Sequence, residues 1–263
     1  MKSLIAALCG CVFSVHYAYT ADIPRIDLDG NEGVVAPAAA IDQYGMERVG
    51  KIDRACLELF PCQDKPSRGT VIVCPGGAYR FLAVRHEGRA VAKRLNACGY
   101  DAAVLLYHVN EGETTRAMAL DEARKALTLV RSRGKEFGLN PKRVGLMGFS
   151  AGGHLAARLA HETADAAPPD FLVLIYPAYL EKGGRLLDEV VPPKVPIFLY
   201  VAADDRRWVP SSRALAAYCR EHELPCTFTE APAGGHGFGL KDPLPEPIRD
   251  WPKRLETFLD ALR

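Results

Sequence analysis

The feature that most constrains the fold of this chain is the alternation of short apolar runs with helical stretches from residue 70 onward. Short apolar runs are typical of strands buried on both faces, and apolar residues recurring every three or four positions indicate amphipathic helices. The pattern predicts strands at 70–74, 102–107, 143–147, 171–176, 197–201 and 226–229, and helices at 87–97, 116–137, 151–161, 211–223 and 252–262. This alternation predicts an α/β fold, a mainly parallel central sheet with helices on both faces.

The sequence before this region predicts two further segments. Residues 1–20 combine Lys2, an apolar run and small residues around the end of the segment, which is the pattern of a cleavable signal peptide. The run is shorter than the ~20 apolar residues of a membrane span. We therefore expect export to the periplasm or the medium, with a lipoprotein anchored at Cys11 or a buried N-terminal helix as alternatives. Residues 21–50 show no clear period and are predicted to form an N-terminal arm, followed by one α/β domain at 51–263.

Composition excludes several classes of protein. The chain has 33 Lys and Arg against 32 Asp and Glu, and 48% of its residues are hydrophobic. These values exclude a disordered chain and a polytopic membrane protein. A net charge of +1 also argues against nucleic acid as a partner, because binding phosphates requires a basic face.

The cysteines predict thiols or local disulfides and no metal centre. The sequence contains no C-x-x-C pair and no Cys/His grouping with the spacing of zinc ligands. Export would permit disulfides, for which Cys56 with Cys62 and Cys219 with Cys226 are the local candidates. Cys74 lies in a predicted apolar strand and is expected to be a buried thiol.

The clearest chemical motif is Gly148-Phe149-Ser150-Ala151-Gly152, which matches G-x-S-x-G between a predicted strand and a predicted helix. A sharp strand-to-helix turn exposes the serine oxygen above the sheet, and the glycines allow close passage of the backbone. The motif therefore predicts Ser150 as a nucleophile. A chance Gly/Ser turn is the alternative.

A serine nucleophile requires a histidine base and an acid that orients it. When the serine lies on such a strand-to-helix turn, the acid comes next along the chain and the histidine follows it. His236 lies in a glycine-rich loop directly after a strand, whereas His222 lies in a polar helix and is expected at the surface. The acid is expected just beyond the strand 197–201, where Asp204 and Asp205 both occur. We predict Asp205 as the acid and Asp204 as a residue that hydrogen-bonds the turn, and either aspartate could take the catalytic role.

The loop after the strand 70–74 is predicted to complete an oxyanion hole. Pro75-Gly76-Gly77-Ala78-Tyr79 occupies the position of the H-G-G-G loop of lipases. By position, the N–H groups of Gly77 and Ala78 would join that of Ala151. A nucleotide-binding Rossmann loop is disfavoured, because no G-x-G-x-x-G follows a strand.

Four segments together resemble one family. They are Pro75-Gly76-Gly77-Ala78-Tyr79, His86-Glu87-Gly88, Gly148-Phe149-Ser150-Ala151-Gly152-Gly153-His154-Leu155-Ala156 and Gly235-His236-Gly237-Phe238-Gly239. This set resembles the α/β-hydrolase branch of bacterial acetylxylan and feruloyl esterases over about residues 50–263. The resemblance implies an α/β-hydrolase fold and hydrolysis of carboxylic esters, with Ser150 as nucleophile, His236 as base and Asp205 as acid. Ala78 stands where the branch usually has a third glycine, and His154 matches the family pattern but is expected to be a packed histidine.

The expected substrate is a small-molecule or polysaccharide ester with a short acyl group, acetyl above all. The segment 177–196 is too short for an apolar lid, and Ala78 narrows the acyl pocket. Tyr79 and Trp208 could form aromatic walls against a sugar, or either could be a core residue. No metal or organic cofactor is predicted. A prolyl-oligopeptidase-like peptidase and a non-catalytic carbohydrate-binding homologue are the alternative functions, and oligomeric state is not predicted.

Overall fold

The computed structural model describes residues 23–43, 45–63 and 66–262. The predicted signal peptide and Cys11 lie outside the described residues. Within the ranges that are described, no helix is both long and apolar enough to cross a membrane.

An eight-stranded sheet forms the centre of the protein, and two small two-stranded sheets accompany it. The strands are β1 (Arg25–Asp27), β2 (Ala40–Ile41), β3 (Glu47–Arg48), β4 (Cys56–Phe60), β5 (Thr70–Cys74), β6 (Asp101–Leu106), β7 (Val144–Phe149), β8 (Leu172–Ile175), β9 (Glu181–Lys182), β10 (Arg185–Leu186), β11 (Ile197–Ala202) and β12 (Cys226–Ala231). The central sheet has the order β1-β4-β6-β5-β7-β8-β11-β12. Within this sheet β1 pairs antiparallel with β4 and β4 pairs antiparallel with β6, and all the pairs that follow in this order, from β6 through to β12, are parallel.

Helices cover both faces of this sheet. They are α1 (Ala90–Ala97), α2 (Thr115–Arg133), α3 (Ala151–Glu162), α4 (Val209–Glu221) and α5 (Trp251–Ala261). A π-helical turn at Arg85–Arg89 runs directly into α1, and 3₁₀ turns occur at Gly112–Thr114, Gly134–Phe137, Asp188–Val190 and Ile248–Asp250. The predicted strands and helices are confirmed, with small shifts at their ends, and so is the α/β fold.

The central strands are apolar because both of their faces are covered. Every residue of β5, β6, β7, β8 and β11 is buried. The edge strand β12 is instead largely half-buried or exposed, and its sequence includes threonines and a glutamate. Since sheets covered on both sides require continuous apolar strands, the apolar runs in the sequence mark the centre of the sheet.

The described residues that precede β5 form more regular structure than the sequence predicted. Part of the segment expected as an irregular arm forms β1, which pairs with β4, a strand that was not predicted. β4 was missed because it carries Glu58 at its centre, although Glu58 is fully buried. Arg25 and Arg89 both donate to its carboxylate, at distances of 2.7–3.0 Å. A buried charge is tolerated in this position because it is paired on both sides.

The candidate disulfides are not formed. All six cysteines in the described part of the chain are thiols, including Cys56 and Cys62, and Cys219 and Cys226. Cys74 is buried, as expected. Burial raises the pKa of the Cys74 thiol to about 12, so it stays protonated and chemically inert at neutral pH.

Candidate active site

Ser150 lies at the sharp turn between β7 and α3. Its backbone has φ +50° and ψ −117°, a conformation that is rare outside glycine. A Cβ at Gly148 would lie 2.2 Å from the backbone oxygen of Gly152, and a Cβ at Gly152 would lie 2.0 Å from the backbone oxygen of Cys74. Both flanking positions therefore require glycine, and the strand–turn–helix geometry expected of the motif is present.

The structure brings Ser150, His236 and Asp205 together. The Nε2 atom of His236 lies 2.7 Å from the Oγ atom of Ser150. On the other side of the ring, Nδ1 lies 2.5 Å from Oδ2 of Asp205. The three side chains thus form a continuous relay, although they come from loops after three different strands, β7, β11 and β12.

The two adjacent aspartates lie in different environments. Asp205 is 5% exposed, and its carboxylate faces His236. Asp204 is exposed and accepts a hydrogen bond from the N–H of Gly235 at 2.8 Å. This backbone hydrogen bond is the main reason why the pKa of Asp204 lies below its ordinary value. The geometry thus places Asp205 on the imidazole and Asp204 on the loop that carries it.

Buried aromatic side chains hold the loop that carries His236. The ring of Tyr176 lies with its centroid 5.0 Å from that of His236. The Tyr176 hydroxyl accepts a hydrogen bond from the N–H of Gly239 at 2.7 Å, and Trp251 Nε1 donates to the Gly239 carbonyl at 2.9 Å. Because Tyr176 and Trp251 are fully buried, these contacts connect the histidine loop to the core.

The predicted oxyanion loop has an unusual backbone. Gly77, Ala78 and Tyr79 have φ values of +137°, +57° and +59°. Among the described residues, no acceptor binds the N–H groups of Gly77, Ala78 or Ala151. Ala151 is the first residue of α3, where a helix leaves its N–H groups unpaired. These three donors are thus available to a ligand oxygen near Ser150.

A buried carboxyl group lies beneath this loop. Glu87 is 3% exposed, and its Oε2 accepts a hydrogen bond from the N–H of Gly76 at 2.8 Å. Its Oε1 accepts a hydrogen bond from the Tyr176 hydroxyl at 2.9 Å. Burial raises the pKa of Glu87 above its ordinary value, while the hydrogen bonds from Tyr176 and Gly76 act in the opposite direction. Glu87 and Tyr176 thus connect the oxyanion loop to the histidine loop, a role that the sequence did not predict.

Of the two aromatic residues expected beside the substrate, only Trp208 lines the cleft. Tyr79 is 6% exposed and packs in the core, where its hydroxyl hydrogen-bonds Nδ1 of His154 at 2.7 Å. Tyr79 is therefore not a wall of the cleft but a core residue, which was the alternative expected for it. Its place is taken by Tyr179, which was not predicted and whose ring lies 4.6 Å from that of Trp208. Burial lowers the pKa of His154 to about 3, consistent with a neutral, packed histidine.

Ser150 and His236 lie in an open cleft of about 610 Å³. Its lining includes Gly77 and Ala78 of the oxyanion loop and the rings of Tyr179 and Trp208. The described residues contain no group of three or more Asp, Glu, His or Cys side chains that could hold a metal ion. The groups at the cleft that could take part in a reaction include the hydrogen-bonded side chains of Ser150 and His236 and the unpaired backbone N–H groups of the loop.

This sheet, with Ser150 at the sharp turn after β7 and His236 in the loop after the last strand, defines an α/β-hydrolase-fold protein. A family model described as an alpha/beta hydrolase fold matches residues 112–192, which include Ser150. Within this class, the chain resembles esterases of acetylated xylan and other carboxylic esters.

Two curated relatives come from bacteria. An acetylxylan esterase from Xylanibacter ruminicola is 27% identical over 240 residues, covering 78% of this chain and 49% of that protein. An endo-1,4-beta-xylanase B from Butyrivibrio fibrisolvens is 29% identical over 127 residues, covering 20% of that protein. The chain thus spans half or less of the length of these relatives.

Solved structures match over more of their length. An acetyl ester-xyloside bifunctional hydrolase from Caldicellulosiruptor lactoaceticus has 25% identity and a TM-score of 0.67, with 90% of this chain and 96% of that chain covered. A sugar hydrolase from Lactococcus lactis has 24% identity and a TM-score of 0.67, with 80% and 95% covered. The second likeness supports the fold alone.

Proposed function

We propose that the protein hydrolyses carboxylic esters, with Ser150 as nucleophile, His236 as general base and Asp205 as the acid that orients the histidine. The observation that carries this proposal is the continuous relay, 2.7 Å from Ser150 Oγ to His236 Nε2 and 2.5 Å from His236 Nδ1 to Asp205. An esterase function also fits the resemblance to acetylxylan esterases.

The first half of the reaction follows from the roles of the two ring nitrogens. Asp205 accepts a hydrogen bond from Nδ1–H of His236, which leaves Nε2 free to take the proton of the Ser150 hydroxyl. The Ser150 oxygen then attacks the ester carbonyl, and a tetrahedral intermediate forms. As the intermediate collapses, the bond to the alcohol breaks and Nε2–H returns the proton to the leaving oxygen. An acyl-enzyme on Ser150 and the free alcohol result.

The second half uses water in place of the serine. His236 removes a proton from water, and the resulting hydroxide attacks the acyl carbon. The bond to Ser150 breaks, the serine oxygen regains its proton from His236, and the carboxylic acid leaves. The unpaired N–H groups of Gly77, Ala78 and Ala151 would stabilise the oxyanion in both halves. No metal or organic cofactor takes part in this scheme.

We propose acetyl and other short acyl groups on carbohydrate alcohols as substrates. The named activities of the acetylxylan esterase and of the acetyl ester-xyloside hydrolase support this class. The rings of Tyr179 and Trp208, which contact each other edge to face in the cleft, are suited to pack against a sugar, since aromatic faces pack well against apolar ring surfaces. The side chain of Ala78 at the oxyanion loop leaves less room for a long acyl chain than glycine would.

The test of the activity is Ser150→Ala with a matched control, Ser132→Ala, on the exposed surface of α2. On p-nitrophenyl acetate, Ser150→Ala should lose at least about 10³-fold in turnover, because the nucleophile is removed while the fold is kept. Ser132→Ala should retain the activity. A Ser150→Ala protein that keeps most of its activity would overturn the proposed function.

The test of the substrate class is a series of p-nitrophenyl esters from acetate to decanoate, alongside acetylated xylan. We expect kcat/KM to be highest for acetate and acetate to be released from the polysaccharide. A rise in kcat/KM with chain length would indicate a lipase-like pocket. Acetate turnover without release from acetylated xylan would remove the carbohydrate from the proposal.

We also propose that the protein is exported, on the basis of the signal-peptide pattern in residues 1–20. Expression of the full chain in a bacterium, followed by fractionation and N-terminal sequencing, tests this. We expect the protein in the periplasm or medium with a new N-terminus near residue 21. Retention of Lys2 in a cytoplasmic product would contradict export.

A further inference from the structure

The cleft that leads to Ser150 carries an excess of positive charge. Four basic side chains line it, namely Arg48, Arg80, Arg207 and Lys241. The acidic side chain in the same lining is Glu87, which is buried and already accepts hydrogen bonds from Gly76 and Tyr176. The whole chain has a net charge of only +1, so this positive excess is local to the cleft.

The four cations differ in how far they are already neutralised. Arg48 forms an ion pair with Asp42 at 2.6 Å, and its guanidinium lies 4.2 Å from the ring centre of Phe81. Arg80 and Lys241 are exposed, and neither forms an ion pair with any residue that the structure describes. Arg207 is exposed and likewise forms no ion pair with the described residues, but its guanidinium lies 4.8 Å from the ring centre of Trp208. Arg80 and Lys241, which have neither an ion pair nor a ring contact among the described residues, are therefore the two cations most available to an anion from solution.

Arg80 and Lys241 come from the two loops that form the site. Arg80 lies next to Tyr79 in the oxyanion loop, and its N–H donates to the Gly77 carbonyl at 3.0 Å. Lys241 follows the histidine loop, and its N–H donates to the Phe238 carbonyl at 3.1 Å. The backbone from which each of these two side chains extends is thus held by a hydrogen bond within its own segment.

The positive field also reaches the floor of the cleft. His86 lines the cleft, and its pKa is lowered to about 4, mainly by burial and further by the charges of Lys241, Arg48 and Arg85. A neutral His86 adds no positive charge of its own. The field that a ligand meets therefore comes from the arginines and Lys241.

We propose that Arg80 and Lys241 select ester substrates that carry a negative charge near the scissile bond. This inference rests on the proposed ester hydrolysis and narrows its substrate class to anionic esters. The charge could be a carboxylate or sulfate on the sugar, or a free carboxylate on the acyl group. Arg80 is suited to such a group because a guanidinium binds planar oxyanions with two parallel hydrogen bonds.

The experiment compares substrate pairs that differ in one charge. For the sugar, the pair is the monoacetylated methyl glucoside and the monoacetylated methyl glucuronide, which differ at C6. For the acyl group, the pair is p-nitrophenyl butyrate and p-nitrophenyl hemisuccinate. We expect the anionic member of at least one pair to have a kcat/KM about tenfold higher, and the pair with the preference identifies where the charge lies.

Salt and substitutions then test whether Arg80 and Lys241 cause the preference. The ratio of anionic to neutral kcat/KM should fall as salt rises from about 0.02 M to 0.5 M, because salt screens exposed charges. It should fall about threefold in Arg80→Gln and in Lys241→Gln, and about tenfold in the double variant. The control is Lys142→Gln, an exposed lysine before the start of β7, at the opposite end of the strand that leads to Ser150. This variant should leave the ratio unchanged.

The possible results separate this inference from the proposed function. Turnover of both members of each pair without a preference overturns the anionic selectivity and leaves ester hydrolysis intact. An equal loss on neutral and anionic esters in Arg80→Gln and Lys241→Gln also overturns it, because the charges would then serve the reaction itself. Absence of turnover on every ester overturns the proposed hydrolysis and this inference with it.

Discussion

Replacing Tyr176 with phenylalanine tests whether one buried hydroxyl holds the two loops of the site together. This hydroxyl donates to Glu87 at 2.9 Å and accepts from the N–H of Gly239 at 2.7 Å. Glu87 in turn accepts from Gly76, which precedes the oxyanion donors. Tyr176 is fully buried, so water cannot readily replace its hydroxyl in the variant.

The size of the effect follows from the groups left without partners. Phenylalanine keeps the ring but leaves the N–H of Gly239 and one oxygen of Glu87 unsatisfied. An unsatisfied buried group costs about 1–3 kcal/mol, so the free energy of unfolding of Tyr176→Phe should fall by about 2–5 kcal/mol. Tyr200→Phe is the matched control, because the Tyr200 hydroxyl makes only a long hydrogen bond to Asp250, 3.4 Å. It should lose less than about 1 kcal/mol.

The loss in Tyr176→Phe should also depend on pH. Burial raises the pKa of Glu87 above 4.5, and the hydrogen bond from Tyr176 counteracts this rise. Without the hydroxyl, the pKa of Glu87 in the folded protein rises further. A carboxyl group whose pKa is raised by folding stabilises the protein fully at low pH and loses that contribution as pH rises through the folded-state pKa. The deficit of the variant should therefore grow as the pH rises through the pKa that Glu87 has in the folded wild-type protein, which lies above its ordinary value.

Urea unfolding of the wild-type, Tyr176→Phe and Tyr200→Phe proteins between about pH 4 and pH 8 measures these differences. Activity on p-nitrophenyl acetate provides a second readout. We expect kcat of Tyr176→Phe to fall about 10- to 100-fold, because small displacements of catalytic groups have effects of this size. A stability loss no larger than that of Tyr200→Phe, or a deficit that shrinks with rising pH, would refute the reasoning.

Three further predictions concern other parts of the site. Asp205→Asn should lower kcat/KM on p-nitrophenyl acetate about 10⁴-fold, and Asp204→Asn far less, because only Asp205 contacts the imidazole; the opposite ranking would assign the acid to Asp204. Gly77→Ala should abolish most of the activity, because a Cβ at this position would lie 1.8 Å from a backbone oxygen. Gly235→Ala serves as the control, because the space around its Cβ is open, and its free energy of unfolding should fall by at most about 1–2 kcal/mol. Because burial lowers the pKa of His154 to about 3, the unfolded chain binds a proton that the folded protein does not, and the free energy of unfolding falls as the pH drops below about 6.5. In urea unfolding, His154→Asn should reduce this fall by about 1.4 kcal/mol per pH unit, and an unchanged pH dependence would contradict the burial argument.

The sequence alone determined the order of the central elements, and it predicted Ser150, His236 and one of the two aspartates, Asp204 or Asp205, as a set; the structure shows that Asp205 is the one that contacts the imidazole. Strands covered on both faces must be apolar, so their runs are visible without a structure. The turn around Ser150 is visible as G-x-S-x-G, and the need for glycine at position 148 is local, because a Cβ there would meet the backbone of Gly152; the need for glycine at position 152 comes from Cys74 on the neighbouring strand. The place of His236 followed from its loop after the last strand, because the order of elements in this fold is fixed.

Only the tertiary structure decided which polar groups are buried and which side chains face the cleft. Glu58 gives β4 a polar sequence, and it is buried only because Arg25 and Arg89 reach it from 33 and 31 residues away. Tyr79 lies in the oxyanion loop with a backbone φ of +59°, yet its side chain packs in the core, where the hydroxyl hydrogen-bonds His154.

The same limit explains why the sequence did not predict the groups around the relay. Glu87 and Tyr176 are 89 residues apart, and their hydrogen bond forms only when the chain folds. Arg80 and Lys241 are single charges in segments of mixed composition, and their common cleft exists only in three dimensions. Local patterns encode strands, helices and sharp turns because their forces act between near neighbours. Burial of a charge and the field of a cleft depend on residues that are distant in the sequence, and therefore on the folded structure.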